Sequence, residues 1–177
     1  MADVIGSVLY TQEQIEERAR EIGKKITEDY EGEKVILVGI LRGAVMWMTD
    51  VMKNVALDMT IDFMAVSSYG SSKKSSGVVK INKDLDTNID GQNVIIVEDI
   101  VDSGITLNYL VGYLKSRGAK SIKICSLLNK QCNRKVDLNA DYIGFEVDDL
   151  FIIGYGLDYD QRYRNLPYIS YLEDDED

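Results

Sequence analysis

The stretch Val94–Leu107, VIIVEDIVDSGITL, decides how this chain is read. Four apolar residues run into Glu98 and Asp99, Asp102 follows, and Ser103-Gly104-Ile105-Thr106 leads into a second apolar segment. A continuous rather than alternating apolar run marks a strand covered on both faces, as in a parallel sheet. In open α/β sheets, ligands bind outside the carboxyl ends of such strands. The acids and the turn therefore stand where chemistry is expected. The first N–H groups of a helix are unpaired and its dipole favours an anion, so Ser103, Gly104 and Thr106 can cradle one phosphate. Adjacent carboxylates can accept hydrogen bonds from a vicinal diol or hold Mg2+, a hard cation that prefers oxygen ligands. Together these features describe a ribose 5-phosphate site. A lone Asp-Ser before a helix is more simply a cap, but capping leaves most of the pattern from Val97 to Thr106 unexplained.

Outward from this stretch the chain alternates strands and helices. Thr11–Tyr30 reads as an amphipathic helix, with Thr11 and Gln14 forming a capping box and Ile15, Ala19, Ile22 and Ile26 at helical spacing. VILVGI (35–40) is a continuous apolar strand, followed by Leu41-Arg42-Gly43 and a helix through about Val55. MTIDFMAV (59–66) is a strand. The segment 67–77 has the composition of a mobile loop, and VVKIN (78–82) resumes a strand. NVIIVED (93–99), a helix from Ile105 to about Arg117, and SIKICSLL (121–128) form a strand-helix-strand unit, with short strands YIGFEV and FIIGY near the end. The expected fold is a single α/β domain spanning 1–177, a central parallel sheet flanked by helices.

Composition narrows the chemistry. The 177 residues contain 45% hydrophobic and 28% charged residues, ordinary for a globular domain. There is no histidine, which excludes Ser-His-Asp and Cys-His catalysis within the chain and argues against structural zinc. Cys125 reads as core, and two cysteines make no disulfide framework. A net charge of −10, with an acidic tail at 173–177, opposes binding to nucleic acid or an anionic membrane. No apolar run is long enough to span a membrane and no signal segment opens the sequence, so a cytoplasmic protein is expected. Neither GxxxxGK[ST] nor GxGxxG occurs, which removes the usual support for nucleotide-dependent phosphoryl transfer.

VIIVEDIVDSGIT resembles the phosphoribosyl-pyrophosphate (PRPP) signature of the type I phosphoribosyltransferases. VGILRGAVMW resembles the pyrophosphate loop of their 6-oxopurine branch, and DFMAVSSYGSSKKSSGVVKINKDLD its mobile catalytic loop. SLLNK and GFEVDDLFIIGYGLDYDQRYRNLPYI resemble its purine-binding region. The similarity runs from about Ile36 to Tyr168, and implies a small hood built from the terminal segments of the chain.

The resemblance also implies roles. Glu98 and Asp99 would face the ribose and Mg2+, and Asp102, Ser103, Gly104, Ile105 and Thr106 would hold the 5-phosphate. Ile105 stands where some relatives have lysine, so its side chain is a poor catalytic candidate. Leu41, Arg42 and Gly43 would bind pyrophosphate, with arginine at a position often lysine and a Leu41-Arg42 peptide that can be cis. Arg164 would contact pyrophosphate, and Asp158 would border the purine and bind a second Mg2+. Lys130 would donate to the purine O6, Phe151 would stack on the base, and the Ile152 backbone would read its edge. Taken alone, Lys130 is a solvated charge, Phe151 a core residue and DYDQRYR a surface strip. Ser68 and Tyr69 would cover the pyrophosphate, and Asp102 would be the acid-base residue near N7, histidine being absent.

The reaction so implied joins PRPP to hypoxanthine or guanine, giving IMP or GMP and pyrophosphate, in a homodimer or homotetramer. Three alternatives stand beside it: a xanthine-preferring transferase, a regulatory protein that keeps the PRPP fold but binds nucleic acid, and a noncatalytic α/β binding module. The net charge opposes the second. The third leaves the acid series and the Ser-Tyr pair unexplained.

Overall fold

The computed structural model describes residues 4–68 and 79–173, Ser68 by its backbone alone. The first helix, α1 (Gln12–Asp29), starts at the expected capping box: Thr11 Oγ1 accepts from Gln14 N, and Gln14 Oε1 accepts from Thr11 N. Strands β1 (Val35–Leu41), β2 (Met59–Ser68), β3 (Val79–Lys83), β4 (Asn93–Val101), β5 (Ser121–Asn129) and β6 (Tyr142–Glu146) form one sheet in the order β3-β2-β1-β4-β5-β6. All pairings are parallel except β2 with β3, which is antiparallel, so the sheet is mostly rather than wholly parallel.

The apolar strands are continuous because alternate residues serve two cores. Leu37, Ile95, Val97 and Leu127 pack with Ile15, Ile22 and Trp47, from α1 and α2 (Val45–Met52). Ile36, Val38, Ile96 and Ile124 pack with Leu107, Leu110 and Leu114 of α3 (Ile105–Ser116). Successive strand side chains point to opposite faces, so covering both faces favours apolar residues at consecutive positions. β1 is buried along its first six residues, and β4 along its first five before Glu98.

α2 is shorter than the sequence predicts, ending at Met52 rather than near Val55. Asn54 N donates to Val51 O at 2.9 Å and Asn54 Nδ2 to Asp50 O at 2.8 Å, taking the carbonyls that another turn would use.

Two further strands, β7 (Phe151–Ile153) and β8 (Ser170–Leu172), pair antiparallel as a separate sheet. Bridges from Ile5 to Leu172 and from Tyr10 to Ile169 add the N-terminal segment, making the hood from both ends of the chain. Tyr10 stacks on Phe145, 4.0 Å between ring centroids, and its hydroxyl donates to Glu146 O. Behind it, Arg18 of α1 donates to the carbonyls of Ile143 and Gly144 on β6, the outermost strand of the main sheet. Of the segment expected at 67–77, residues 67 and 68 end β2, while Tyr69 and the rest lie outside the described residues, as do 174–177 of the acidic tail.

Candidate active site

The strands β1, β4 and β5 end at one rim of the sheet. β4 continues to Val101, two residues past the predicted end of the strand, and Glu98 and Asp99 are half-buried strand residues. Asp99 N donates to Glu98 Oε1 (3.1 Å), and Ile100 N to Asp99 Oδ1 (2.7 Å). Burial, and then repulsion from Asp99, push Glu98 well above the usual carboxylate range. Asp99 is also raised by burial, against hydrogen bonds from its neighbours and the positive charge of Arg164. Two carboxylates so placed are poised for a cation or for ribose hydroxyls, either of which relieves the repulsion.

The turn after β4 is set by Gly104, whose φ of +77° is left-handed and favours glycine. A Cβ there would also lie 2.9 Å from Val136 Cγ2. Gly104 is the N-cap of α3 and carries no capping side chain; Ser103 Oγ accepts from Ile105 N in a long contact of 3.4 Å, and neither Asp99 nor Asp102 caps the helix. Glu98, Asp102, Ser103, Gly104, Thr106 and Leu107 help line a cavity of about 150 Å3 there. That is roughly five water volumes, room for a phosphate group. Asp102 Oδ1 is buried with no hydrogen-bond partner among the described residues.

The loop after β1 meets this rim from the side. The Leu41-Arg42 peptide is cis. A Cβ on Gly43 would fall 1.7 Å from Asp99 Oδ2, so only glycine lets this backbone lie against the β4 acids. Arg42 Nη1 donates to Gln161 Oε1 at 3.0 Å. In the hood, Arg164 pairs with Asp158 at 2.9 Å and donates to Gly156 O, while Asp158 Oδ2 accepts from Gln161 N. Arg164 Nε is buried without a hydrogen-bond partner among the described residues. Tyr155, Asp160, Gln161 and Tyr163 all have positive φ, a rare concentration for non-glycine residues and typical of functional loops.

Lys130 follows β5 and is only 8% exposed. Its Nζ donates to Leu150 O at 3.1 Å and pairs with Asp149 at 2.8 Å. Phe151, which composition alone would put in the core, is 52% exposed and touches Tyr159 edge-on, 5.5 Å between centroids. Ile152 beside it is buried. An exposed ring next to a buried lysine offers a flat heterocycle both a stacking face and a donor.

Glu98 and Asp99 are adjacent, but Asp158 is engaged by Arg164, and no group of three or more metal-type ligands occurs among the described residues. Two carboxylates with substrate oxygens making up the shell suit Mg2+, which keeps waters and phosphates as ligands. Sequence reasoning missed Asn129, Arg134, Glu146, Asp149 and Gln161, the polar residues that hold the site in place. Nothing in their local sequence separates them from solvated surface charge.

Residues 7–160 match the phosphoribosyl transferase domain model, and the chain belongs to that family. It is 50% identical to the hypoxanthine-guanine phosphoribosyltransferase of Bacillus subtilis (strain 168), over 96% of this chain and 94% of that protein. A crystal structure of a hypoxanthine phosphoribosyltransferase from Staphylococcus aureus superposes with a TM-score of 0.93 at 44% identity, covering 96% of this chain and 92% of the other. The hypoxanthine-guanine enzyme of Bacillus anthracis, solved with HEPES in its active site, gives 0.92 at 43% identity, covering 96% and 100%. Within the family the chain falls in the 6-oxopurine branch, transferases of purine salvage.

Proposed function

We propose that this protein transfers the 5-phosphoribosyl group from PRPP to hypoxanthine or guanine, giving IMP or GMP and pyrophosphate. The observation that carries it is the convergence on one rim of the Gly104 turn into α3, the paired acids with Asp99 against Gly43, and Lys130 beside Phe151. N9 of the base attacks C1 of the ribose as pyrophosphate leaves, and positive charge builds on the sugar. The α3 start with Ser103, Gly104 and Thr106 holds the 5-phosphate, the Ile105 N–H contributing with them. Glu98 and Asp99 accept from the ribose hydroxyls. Phe151 stacks on the purine, Ile152 reads its edge by its backbone, and Lys130 donates to O6. An ammonium donates and cannot accept, so a 6-amino base is disfavoured. Asp102 holds or moves the proton at N7, and Leu41, Arg42, Gly43 and Arg164 bind the pyrophosphate.

Glu98 and Asp99, with substrate oxygens, would hold Mg2+, which when bound would supply charge stabilisation to the leaving group. A place for Asp158 in a second metal site requires release of Arg164. The roles of Ser68 and Tyr69 and a homodimer or homotetramer rest on the family resemblance alone, and a cytoplasmic location on the sequence features given above. No helix among the described residues is long and apolar enough to cross a membrane.

The test is nucleotide formation from PRPP and Mg2+ with hypoxanthine, guanine, xanthine and adenine offered separately. Product from hypoxanthine or guanine, inert adenine, and loss of turnover in EDTA are expected. A strong preference for xanthine would move the assignment within the branch. No product from any purine despite PRPP binding would favour the regulatory reading.

A further inference from the structure

Arg134 lies four residues beyond Lys130, in the loop between β5 and β6, and has no part in the chemistry above. Its guanidinium is fixed at four points. Nε donates to Asp102 O at 3.0 Å, and Nη2 to Val101 O at 3.3 Å. Nη2 also donates to Asn129 Oδ1 at 2.7 Å, and Nη1 to Leu138 O. Two of these acceptors are the main-chain carbonyls of Asp102 and of the residue before it. The aliphatic part of the side chain supports the same turn, since Cδ lies 3.1 Å from where a Cβ of Gly104 would stand.

The clamp is anchored at its other end. Asn129 is fully buried, and its Nδ2 donates to both carboxylate oxygens of Glu146, at 3.0 and 2.9 Å. Val101 O, which accepts from Arg134, also accepts from the backbone N–H of Lys130 at 2.9 Å. Lys135 N donates to Ser103 O at 2.9 Å, so the same loop grips the turn one residue further on. One polar network thus joins the end of β4 to the end of β5. The catalytic candidate stands at one end, and the base-reading lysine at the other.

Against this fixed main chain, the Asp102 carboxylate itself has a buried Oδ1 with no partner among the described residues. Its direction is therefore set by the backbone that carries it. We propose that Arg134 is a positioning residue, which holds the Val101-Asp102 main chain so that the Asp102 carboxylate points at the base bound by Lys130. The inference rests on the proposed transferase reading. A planar fork with several donors in fixed directions can serve these carbonyls together, whereas lysine offers a single point charge.

The experiment is a double-mutant cycle on kcat, with Arg134→Lys and Arg134→Gln made in the parent and in Asp102→Asn. Melting temperatures are measured on every variant. Each Arg134 substitution in the parent should lower kcat about tenfold or more, with the KM of hypoxanthine changed less than about threefold. In the Asp102→Asn background the same substitutions should cost little further, because the group they position is already disabled. Multiplicative losses across the cycle would overturn the inference. So would unchanged kcat in both single variants, or failure of both to fold, which would make the network a support of the domain rather than of the carboxylate. An inactive parent protein would instead sink the transferase reading itself.

Discussion

The phosphate end and the base end of the site are built in opposite ways. The phosphate end is one uninterrupted stretch, Glu98 to Thr106, carried from a buried strand into α3 through a single left-handed glycine. The base and pyrophosphate end is collected from Leu41–Gly43, Lys130 and residues 151–164, held by ion pairs, side-chain hydrogen bonds and four non-glycine residues at positive φ. Where local geometry and ligand chemistry share one segment, the chain states its function openly. Where they are separated, each residue looks ordinary until the fold brings it to its partners.

This contrast can be attacked from either end. The largest effect is expected at the junction: Asp102→Asn should lower turnover by at least roughly a hundredfold, the scale of general acid-base catalysis. Near-normal turnover in a folded variant would remove Asp102 from that role. Next, Phe151→Ala should raise the KM of hypoxanthine roughly tenfold or more, given about 1–3 kcal/mol for stacking a base on an aromatic ring. The KM of PRPP should stay put; a matching rise in both would mean that the two ends are not separable. Lys130→Gln should bring hypoxanthine and adenine closer in kcat/KM, roughly tenfold, because the amide can accept as well as donate. Unaltered discrimination in competition assays would place base selection elsewhere.

Smaller effects concern stability. Gly104→Ala should cost about 1–2 kcal/mol from the left-handed backbone alone, lowering Tm by a few degrees and raising the KM of PRPP more than that of the base. Glu98→Gln should act in the other direction on the ligand-free protein. Folded Glu98 holds its proton more tightly than the unfolded chain does, so stability falls as pH rises from the ordinary glutamate value toward the raised one. Above both values the cost is fully present. The variant should therefore melt higher than the parent near neutral pH and lose that advantage in acid. A parallel pH dependence of Tm in both proteins would show that Glu98 is not the group responsible.

The fold was readable because its two cores leave a plain mark. Val35–Ile40 and Val94–Val97 are apolar at every position, which only a doubly covered strand requires. The antiparallel entry of β3 and the pairing of Phe151–Ile153 with Ser170–Leu172 were not readable, since five- and three-residue strands carry no direction in their composition. At the site, the acids and the glycine turn were legible from residues, whereas Lys130, Phe151 and Arg164 were picked out only by resemblance. Arg134 and Asn129 escaped both routes. Beyond the bond between them, their partners are main-chain carbonyls and one distant carboxylate, and neither kind of acceptor has a signature in sequence.

Arg18 carries a consequence of another kind. A sheet that ends in an uncovered strand offers its free carbonyls and N–H groups to any other extended chain, the commonest route to edge-to-edge aggregation. By placing a guanidinium on the carbonyls of Ile143 and Gly144, α1 withdraws acceptors from the outer strand. The same contact that seats the helix therefore protects colloidal behaviour. Arg18→Ala should show itself in light scattering of concentrated protein well before it shows in any assay of turnover.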